Sequence, residues 1–196
     1  MAPQVRGSLF LDYVRMLKAR RDVDWCQHLA PADLSYLEQR IGLEDWYPMD
    51  AFERLGIAIL DVIARRDLGA VRAWGKRTVL PLSELHGGLL VKNDPRESLM
   101  RFLVLRRTFF DFEAASMIRL DDSEVRLRIA YGMSSAAEEA ASYQTMGFFE
   151  GLVELAGGKE VRARFVEQAW RGAKTTTLVV SWGQPAARVR SRDEGI

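Results

Sequence analysis

Apolar residues recur every three or four positions through the first half of the chain, which is the period of an amphipathic helix. The clearest start signal is Asp94-Pro95 followed by Glu97, which combines a capping side chain, a first-turn proline and a first-turn carboxylate. Ser8 is expected to cap the first helix, and Gly42 is expected to end the second one. The pattern predicts a helical part over residues 6–110, with helices over residues 8–21, 31–41, 48–63, 68–78 and 94–110.

In the second half the hydrophobic period changes from helical to alternating. Residues 117–131 are expected to form one antiparallel hairpin and residues 161–182 a second one. Between them the pattern predicts a helix over residues 135–156. Ser135 and Glu138 have the spacing of a capping box, so we expect them to start that helix.

Two hairpins separated by a helix can join into one four-stranded antiparallel sheet, with the helix over its apolar face. The predicted fold class is α+β, with a helical N-terminal lobe followed by hairpin, helix and hairpin. We expect one domain over residues 1–182, with a helical part over 6–110 and a sheet part over 112–182. Residues 183–196 lack a periodic apolar pattern and are expected to form a flexible tail.

The composition excludes several classes of function. The chain has 196 residues, with 28 Lys+Arg against 27 Asp+Glu, and its only histidines and cysteine are His28, His86 and Cys26. So few nitrogen and sulfur ligands argue against a metal site, and one cysteine forms no internal disulfide. A net charge of +1 argues against nucleic-acid binding through a broad positive field. Because we find no signal peptide and no apolar run of membrane-spanning length, we expect a cytoplasmic protein that does not bind membranes.

Three short motifs resemble a known family. They are Val5-Arg6-Gly7, Trp46-Tyr47-Pro48 and Val71-Arg72-Ala73-Trp74-Gly75-Lys76. Together with the closing order of hairpin, helix and hairpin, they resemble the haem-nitric-oxide/oxygen-binding (H-NOX) family over nearly all of residues 5–182. The chain also resembles a family of bacterial, myxobacterial paralogues of about the same length. The resemblance implies an H-NOX-like fold, which in that family senses gases through haem.

The residues that hold haem in that family have no full counterpart here. The family's proximal histidine belongs late in the helix before the first strand, where residues 102–108 contain no histidine. Tyr131 matches the tyrosine of the family's Tyr-x-Ser-x-Arg signature, which binds the haem propionates. Met133 and Ser135 stand in place of the serine and the arginine of that signature. We therefore expect an H-NOX-like fold without haem, without another cofactor and without a metal.

Arg106 and Arg107 lie in the stretch where the related fold places its ligand-facing helix. We expect one of these guanidinium groups to contact an acidic ligand or a partner, or to pin a buried carboxylate. The structural alternative is a favourable positive charge at the C-terminal end of a helix. Tyr131 and Trp74 are further candidate contact residues, because both lie in stretches that match the family.

Two other places are candidate interaction surfaces. The helix over residues 135–156 has a face of small residues that includes Gly147 and Gly151. Because glycine in a helix interior costs about 1 kcal/mol relative to alanine, this face indicates close packing, either on the sheet or on a partner helix in a dimer. Trp170 beside Arg171 in a hairpin connection is a candidate exposed hot spot, unless the indole folds back onto its own sheet.

The sequence contains no motif that indicates catalysis. Gly172-Ala173-Lys174-Thr175 lacks the spacing of a phosphate loop, and neither histidine has a setting that suits a Ser–His–Asp arrangement. We expect no catalytic residues and no enzymatic activity. The predicted function is a haem-free signalling or adaptor domain that acts through contacts with a protein partner or a second copy. The alternative is a sensor that binds a small apolar or acidic ligand in a pocket between helical lobe and sheet.

Overall fold

The computed structural model describes residues 2–183, so the predicted tail lies outside the described residues except for Gly183. The first part contains β1 (Gln4–Arg6), α1 (Gly7–Ala19), α2 (Pro31–Glu38), β2 (Trp46–Pro48), α3 (Met49–Ala58), α4 (Leu68–Arg77), α5 (Val79–Leu85) and α6 (Pro95–Leu105). The second part contains β3 (Ala115–Leu120), β4 (Glu124–Ile129), α7 (Ser135–Leu155), β5 (Lys159–Glu167) and β6 (Thr176–Gly183). Three 3-10 turns (Trp25–Gln27, Arg106–Thr108, Ala169–Arg171) and a π-helical turn (Ile59–Ile63) connect these elements.

The larger sheet has the architecture that the alternating pattern predicts. Its strand order is β3-β4-β6-β5, and all neighbouring strands are antiparallel. Val125, Leu127 and Ile129 alternate along β4 and are fully buried. Phe149 and Leu152 of α7 pack with them, so α7 covers this face of the sheet. The α+β fold class with a four-stranded antiparallel sheet is confirmed, while the extent of the domain over residues 1–182 stays a prediction.

A two-stranded sheet of β1 and β2, which the sequence analysis did not predict, fixes the start of α1. The first helical N–H groups are satisfied by the segment before β2. Gly7 N–H donates to the Asp45 carbonyl at 2.8 Å, and Ser8 N–H donates to the Leu43 carbonyl at 3.1 Å. These bonds replace a side-chain cap from Ser8, so α1 begins at Gly7. A Cβ atom at residue 7 would overlap the Gly42 carbonyl oxygen, which leaves room only for glycine.

The same segment explains why α2 is shorter than the helix that its apolar pattern predicts. The helix ends at Glu38, and Gly42 is not its C-cap. The carbonyl groups within residues 42–45 accept hydrogen bonds from the first N–H groups of α1. This segment is therefore not helical, although the spacing of Ile41 predicts a longer helix. The helix after Pro48 reaches its predicted length only because α3 continues into the π-helical turn.

Two clusters of buried apolar side chains meet at Tyr131, which contacts both. One cluster lies among α1, α2 and α3, and the other lies between α6, α7 and the sheet. Phe110 stands at the junction, with its ring centroid 5.7 Å from Tyr131 and 5.4 Å from Phe112. Aromatic rings therefore fill the junction between the helical part and the sheet. Within residues 2–183, no helix is long and apolar enough to cross a membrane.

Candidate functional site

Helix α6 begins with the capping signal that its sequence predicts. The Asp94 side chain accepts a hydrogen bond from the Glu97 N–H at 2.9 Å. Leu99 on the inner face is fully buried. Phe102, one turn further, packs edge-to-face against Phe149 of α7 with ring centroids 5.3 Å apart. One face of α6 is therefore fixed in the core.

The opposite face of α6 carries apolar side chains into solvent. Met100 is 45% exposed and Val104 is 75% exposed, with half-buried Leu103 beside them. Arg96 and Arg107 lie at the two ends of this face, both exposed, and neither has an ion-pair partner among the described residues. We name these five residues, at positions i, i+4, i+7, i+8 and i+11, the α6 stripe. Sequence reasoning missed it, although apolar residues on both sides of one short helix were a signal.

The structure separates the two arginines that the sequence placed together. Arg106 lies in the 3-10 turn after α6 and is largely buried, with its Nε donating to the Ala115 carbonyl at 2.6 Å and a terminal nitrogen donating to the Leu103 carbonyl. Its carboxylate partner Glu113, at 3.4 Å, is 68% exposed, so the expected buried carboxylate is not there. Arg106 therefore joins the end of α6 to the start of β3, while Arg107 stays on the surface.

Tyr131 lies in the loop before α7, where groups of α7 bind both its side chain and its backbone. Its hydroxyl lies 2.6 Å from Thr145 Oγ1, and Thr145 donates its own proton to the Ala141 carbonyl, so Tyr131 donates. Burial raises the pKa of Tyr131 to about 12. Glu138 accepts hydrogen bonds from the Tyr131 and Met133 N–H groups at 3.0 and 3.1 Å. The predicted capping box was wrong, because the 5% exposed Glu138 carboxylate holds this loop instead of capping α7.

Trp74 lines a small cavity between α1, α3, α4 and α7. The cavity measures about 30 Å³, which is room for one or two water molecules. Two of its polar side chains are bonded to each other, because the Tyr13 hydroxyl donates to Gln144 Oε1 at 2.9 Å. Burial is the main cause that raises the pKa of Tyr13 above its usual range. This cavity lies among helices, whereas the predicted pocket was between the helical lobe and the sheet.

A wider groove of about 600 Å³ opens on the outside of the helical part, between α1 and residues 39–43. Leu11 and Ile41 contribute apolar surface. Arg15, Lys18 and Arg40 bring positive charge to the same groove. It is a surface feature that no sequence motif indicated, because its walls come from two segments far apart in the chain.

The glycines of α7 pack on α4. A Cβ at Gly147 would overlap the Arg72 carbonyl oxygen of α4, and one at Gly151 would lie 2.9 Å from the Lys76 carbonyl oxygen. Gly75 of α4 reciprocates, because its Cβ would overlap the Gln144 carbonyl oxygen of α7. The small-residue face is therefore covered by α4 of the same chain. The expectation that it packs on the sheet or forms a dimer interface was wrong.

Trp170 folds back onto the sheet and onto α7. Its ring lies edge-on to Phe165, with centroids 5.1 Å apart, and 6.4 Å from Tyr143. The indole Nε1 is buried without a hydrogen-bond partner in the described part of the chain. Arg171 beside it is exposed. The prediction of an exposed Trp-Arg pair was wrong, because the indole of Trp170 packs against aromatic side chains of β5 and α7.

Residues 102–108, where the resemblance places the proximal histidine, contain no histidine, cysteine, tyrosine or methionine that could bind the iron of haem. The nitrogen-bearing side chains in residues 102–108 are Arg106 and Arg107, and a guanidinium group donates hydrogen bonds but offers no lone pair to iron. His86 lies edge-on to Phe109 at the end of α5. Residues 2–183 contain no group of three or more His, Cys, Asp or Glu side chains that could hold a metal ion. The cavity that Trp74 lines is also far smaller than the several hundred Å³ of ordinary cofactor sites.

No protein-family model and no curated protein matches the chain, but solved structures do. A point mutant of the H-NOX protein from T. tengcongensis matches with a TM-score of 0.61 and 14% identity, covering 92% of this chain and 99% of that chain. A triple mutant of an Fe(II) H-NOX protein from S. oneidensis matches with a TM-score of 0.63 and 12% identity, covering 93% and 98%. An unliganded Fe(II) H-NOX mutant from K. algicida matches with a TM-score of 0.62 and 11% identity, covering 91% and 97%. The chain therefore has an H-NOX-like fold, as its motifs and element order predict.

Proposed function

We propose that this chain is a haem-free signalling domain that acts by binding a partner protein through the α6 stripe. H-NOX-like folds are sensor domains. The observation that carries the proposal is the exposure of Met100 and Val104 between two arginines, on a helix whose other face is fixed in the core. Scattered exposed apolar residues are ordinary, but Met100, Leu103 and Val104 stand at i, i+3 and i+4 of one helix, which is the anchor spacing of a helix that docks into a groove.

The haem-free part of the proposal rests on the donor set and on packing. The stretch that would supply the proximal histidine, residues 102–108, contains Arg106, whose Nε and one terminal nitrogen are already bonded to main-chain carbonyls. Phe110 and Tyr131 fill the junction between the helical part and the sheet. We expect no Soret band when the protein is expressed with excess haem precursor or reconstituted with haem. A stoichiometric Soret band would overturn this part.

Charge favours a different protein over a second copy as the occupant of the stripe. In an antiparallel two-fold contact, Arg96 of one copy would face Arg107 of the other, and like charges across an interface cost affinity. A partner that presents apolar side chains flanked by carboxylates would match both the apolar centre and the two cationic ends. We therefore expect the isolated chain to sediment as a monomer.

Site-specific photo-cross-linking tests the proposal in the full chain. A photoreactive amino acid at Val104 is compared with the same group at Leu155, which is 49% exposed on α7. We expect one protein adduct at Val104 that is absent at Leu155. The purified adduct protein should then bind the chain, and Met100→Asp with Val104→Asp should raise Kd at least tenfold, which is about 1.4 kcal/mol. Leu155→Asp should leave Kd unchanged. Equal cross-linking at both positions, or an unchanged Kd in the double variant, would refute the proposal.

A second candidate function, binding of a small acidic ligand, is favoured by the surface groove between α1 and residues 39–43. Its volume of about 600 Å³ falls within the usual range of ligand sites, and Arg15, Lys18 and Arg40 supply positive charge. Native mass spectrometry of freshly purified protein separates the two functions. The bare monomer mass supports the partner-binding function, whereas a stoichiometric small-molecule adduct lost in Arg40→Glu would favour the ligand function.

A further inference from the structure

The outer face of the larger sheet, opposite α7, is lined by arginines. On β4 the inward residues alternate with Glu124, Arg126 and Arg128. On β5 Arg162 and Arg164 are exposed, as are Lys159, Glu160, Val166 and Glu167. Arg119 of β3 pairs with Arg126 in the strand register. We name these five arginines the arginine face. Of the five, Arg128, Arg162 and Arg164 have no ion-pair partner within residues 2–183.

The strand register places these side chains in rows across the sheet. Arg126 pairs with Val179 of β6, and Val179 pairs with Arg164 of β5. Val179 is only 2% exposed although it lies on the outer side. The long aliphatic stems of arginines beside such a residue cover apolar surface while their charged ends stay in water. The stems of Arg126 and Arg164 therefore flank Val179 on the outer side of the sheet.

Folding alone gives a poor account of this arrangement. Arg119 and Arg126 stand opposite each other, but each has a carboxylate partner, Asp121 at 2.8 Å and Glu124 at 2.9 Å. Arg128, Arg162 and Arg164 have no such partner within residues 2–183. Charged residues on β5 would be explained by protection of an edge strand. That explanation does not reach Arg128, because β4 is a central strand. The face has the properties of a binding surface for negative charge.

We propose that the arginine face binds an extended acidic segment of a partner protein. Guanidinium groups bind carboxylates in two-pronged, charge-assisted pairs. Arginines two residues apart on one strand are about 7 Å apart, which is also the spacing of alternate side chains in an extended peptide. A segment with carboxylates on alternate residues can therefore meet Arg162 and Arg164 in register.

Other occupants fit the face less well. Single-stranded nucleic acid is usually held by aromatic rings that stack on bases, and the outer residues of β6 are Thr177, Val179 and Ser181. The chain's own residues after β6 carry Arg188, Arg190 and Arg192 against two carboxylates, so their charge has the wrong sign. The proposal does not depend on the α6 stripe, which lies on a different element.

Fluorescence anisotropy with a fluorescein-labelled peptide of alternating Glu and Ser residues tests this binding at low ionic strength. The face variant is Arg128→Glu, Arg162→Glu and Arg164→Glu. The control variant makes the same change of charge at exposed positions elsewhere, with Arg21→Glu, Arg77→Glu and Lys92→Glu. We expect the face variant to weaken binding at least tenfold more than the control variant. In wild type, amide chemical-shift changes should concentrate on β4 and β5.

The results separate specific binding from general attraction. Equal loss in both triple variants, or no measurable binding to wild type, would refute the proposal. Tighter binding of oligo-dT of equal charge, lost in the face variant, would also refute it and assign the face to nucleic acid. If the triple variant fails to fold, Arg128→Gln with Arg164→Gln tests the same face with a smaller change. Met100→Asp with Val104→Asp should leave peptide binding unchanged, so the failure of either proposal is recognised separately.

Discussion

Helices α4 and α7 touch backbone to backbone at Gly75 and Gly147, and this contact can be tested by adding one methyl group. In Gly147→Ala the new Cβ would overlap the Arg72 carbonyl oxygen and lie 2.7 Å from its carbonyl carbon. An ordinary contact begins at 3.4 Å, so the helices must move apart by roughly 1.5 Å to clear the carbonyl oxygen. Neither atom belongs to a flexible side chain that could turn away.

The expected loss of stability follows from two opposing effects. Overpacking of a dense contact costs about 1–3 kcal/mol and more when backbone must move, whereas alanine in place of glycine returns about 1 kcal/mol of helix propensity. Separation of the helices also disturbs the Arg72–Glu150 ion pair, whose carboxylate is 7% exposed. We expect Gly147→Ala to lower the free energy of unfolding by about 2–3 kcal/mol.

Urea unfolding followed by tryptophan fluorescence measures this change. Gly87→Ala is the control, because a Cβ there meets no atom within 4 Å, and we expect it to stay within about 0.5 kcal/mol of wild type. The loss in Gly147→Ala should not depend on protein concentration, since the contact lies within one chain. A stability equal to that of Gly87→Ala would refute the packing argument, and a concentration-dependent loss would restore a dimer through this face.

Two further predictions concern residues that the sequence singled out. Arg106→Ala removes bonds to two main-chain carbonyls and should lower the free energy of unfolding by about 1–3 kcal/mol, whereas Arg107→Ala should change it by less than about 0.5 kcal/mol. Equal effects of the two variants in urea unfolding would contradict the assigned role of Arg106. Tyr131, with its pKa raised from 10.0 to about 12, keeps its proton longer in the folded than in the unfolded chain. The stability that the raised pKa of Tyr131 gives the folded chain is therefore fully present below pH 10, and it is lost as the pH rises to about 12. The stability difference between wild type and Tyr131→Phe should change across that window, and a constant difference would contradict this assignment.

Local sequence signals predicted the elements that local chemistry decides. The Asp94 cap of α6 needs only residues three positions apart, and the alternation of Val125, Leu127 and Ile129 marks the buried face of β4 without reference to any other strand. The resemblance of short motifs also identified the H-NOX-like fold that the solved structures support. Each of these predictions used neighbours in sequence or an order of elements.

The errors arose where a distant segment supplies what the local pattern left open. Ser8 does not cap α1, because the carbonyl groups of Asp45 and Leu43 accept hydrogen bonds from the first N–H groups of that helix. Glu138 does not cap its own helix because its carboxylate binds the loop before it. At α1, carbonyl groups of residues 43 and 45 take the N–H groups that a cap would have bound. At α7, the N–H groups of the preceding loop take the carboxylate that would have served as the cap.

The candidate interaction surfaces also separate what the sequence determines from what the tertiary structure decides. The sequence by itself determined that the chain has almost no metal ligands, that its helices precede its hairpins, and that glycines of α7 require a close neighbour. Only the tertiary structure decided that this neighbour is α4, that Trp170 is turned inward, and that arginines from three strands share one face. The reason is physical: periodicity says which side of an element is apolar, but burial depends on which other element arrives there.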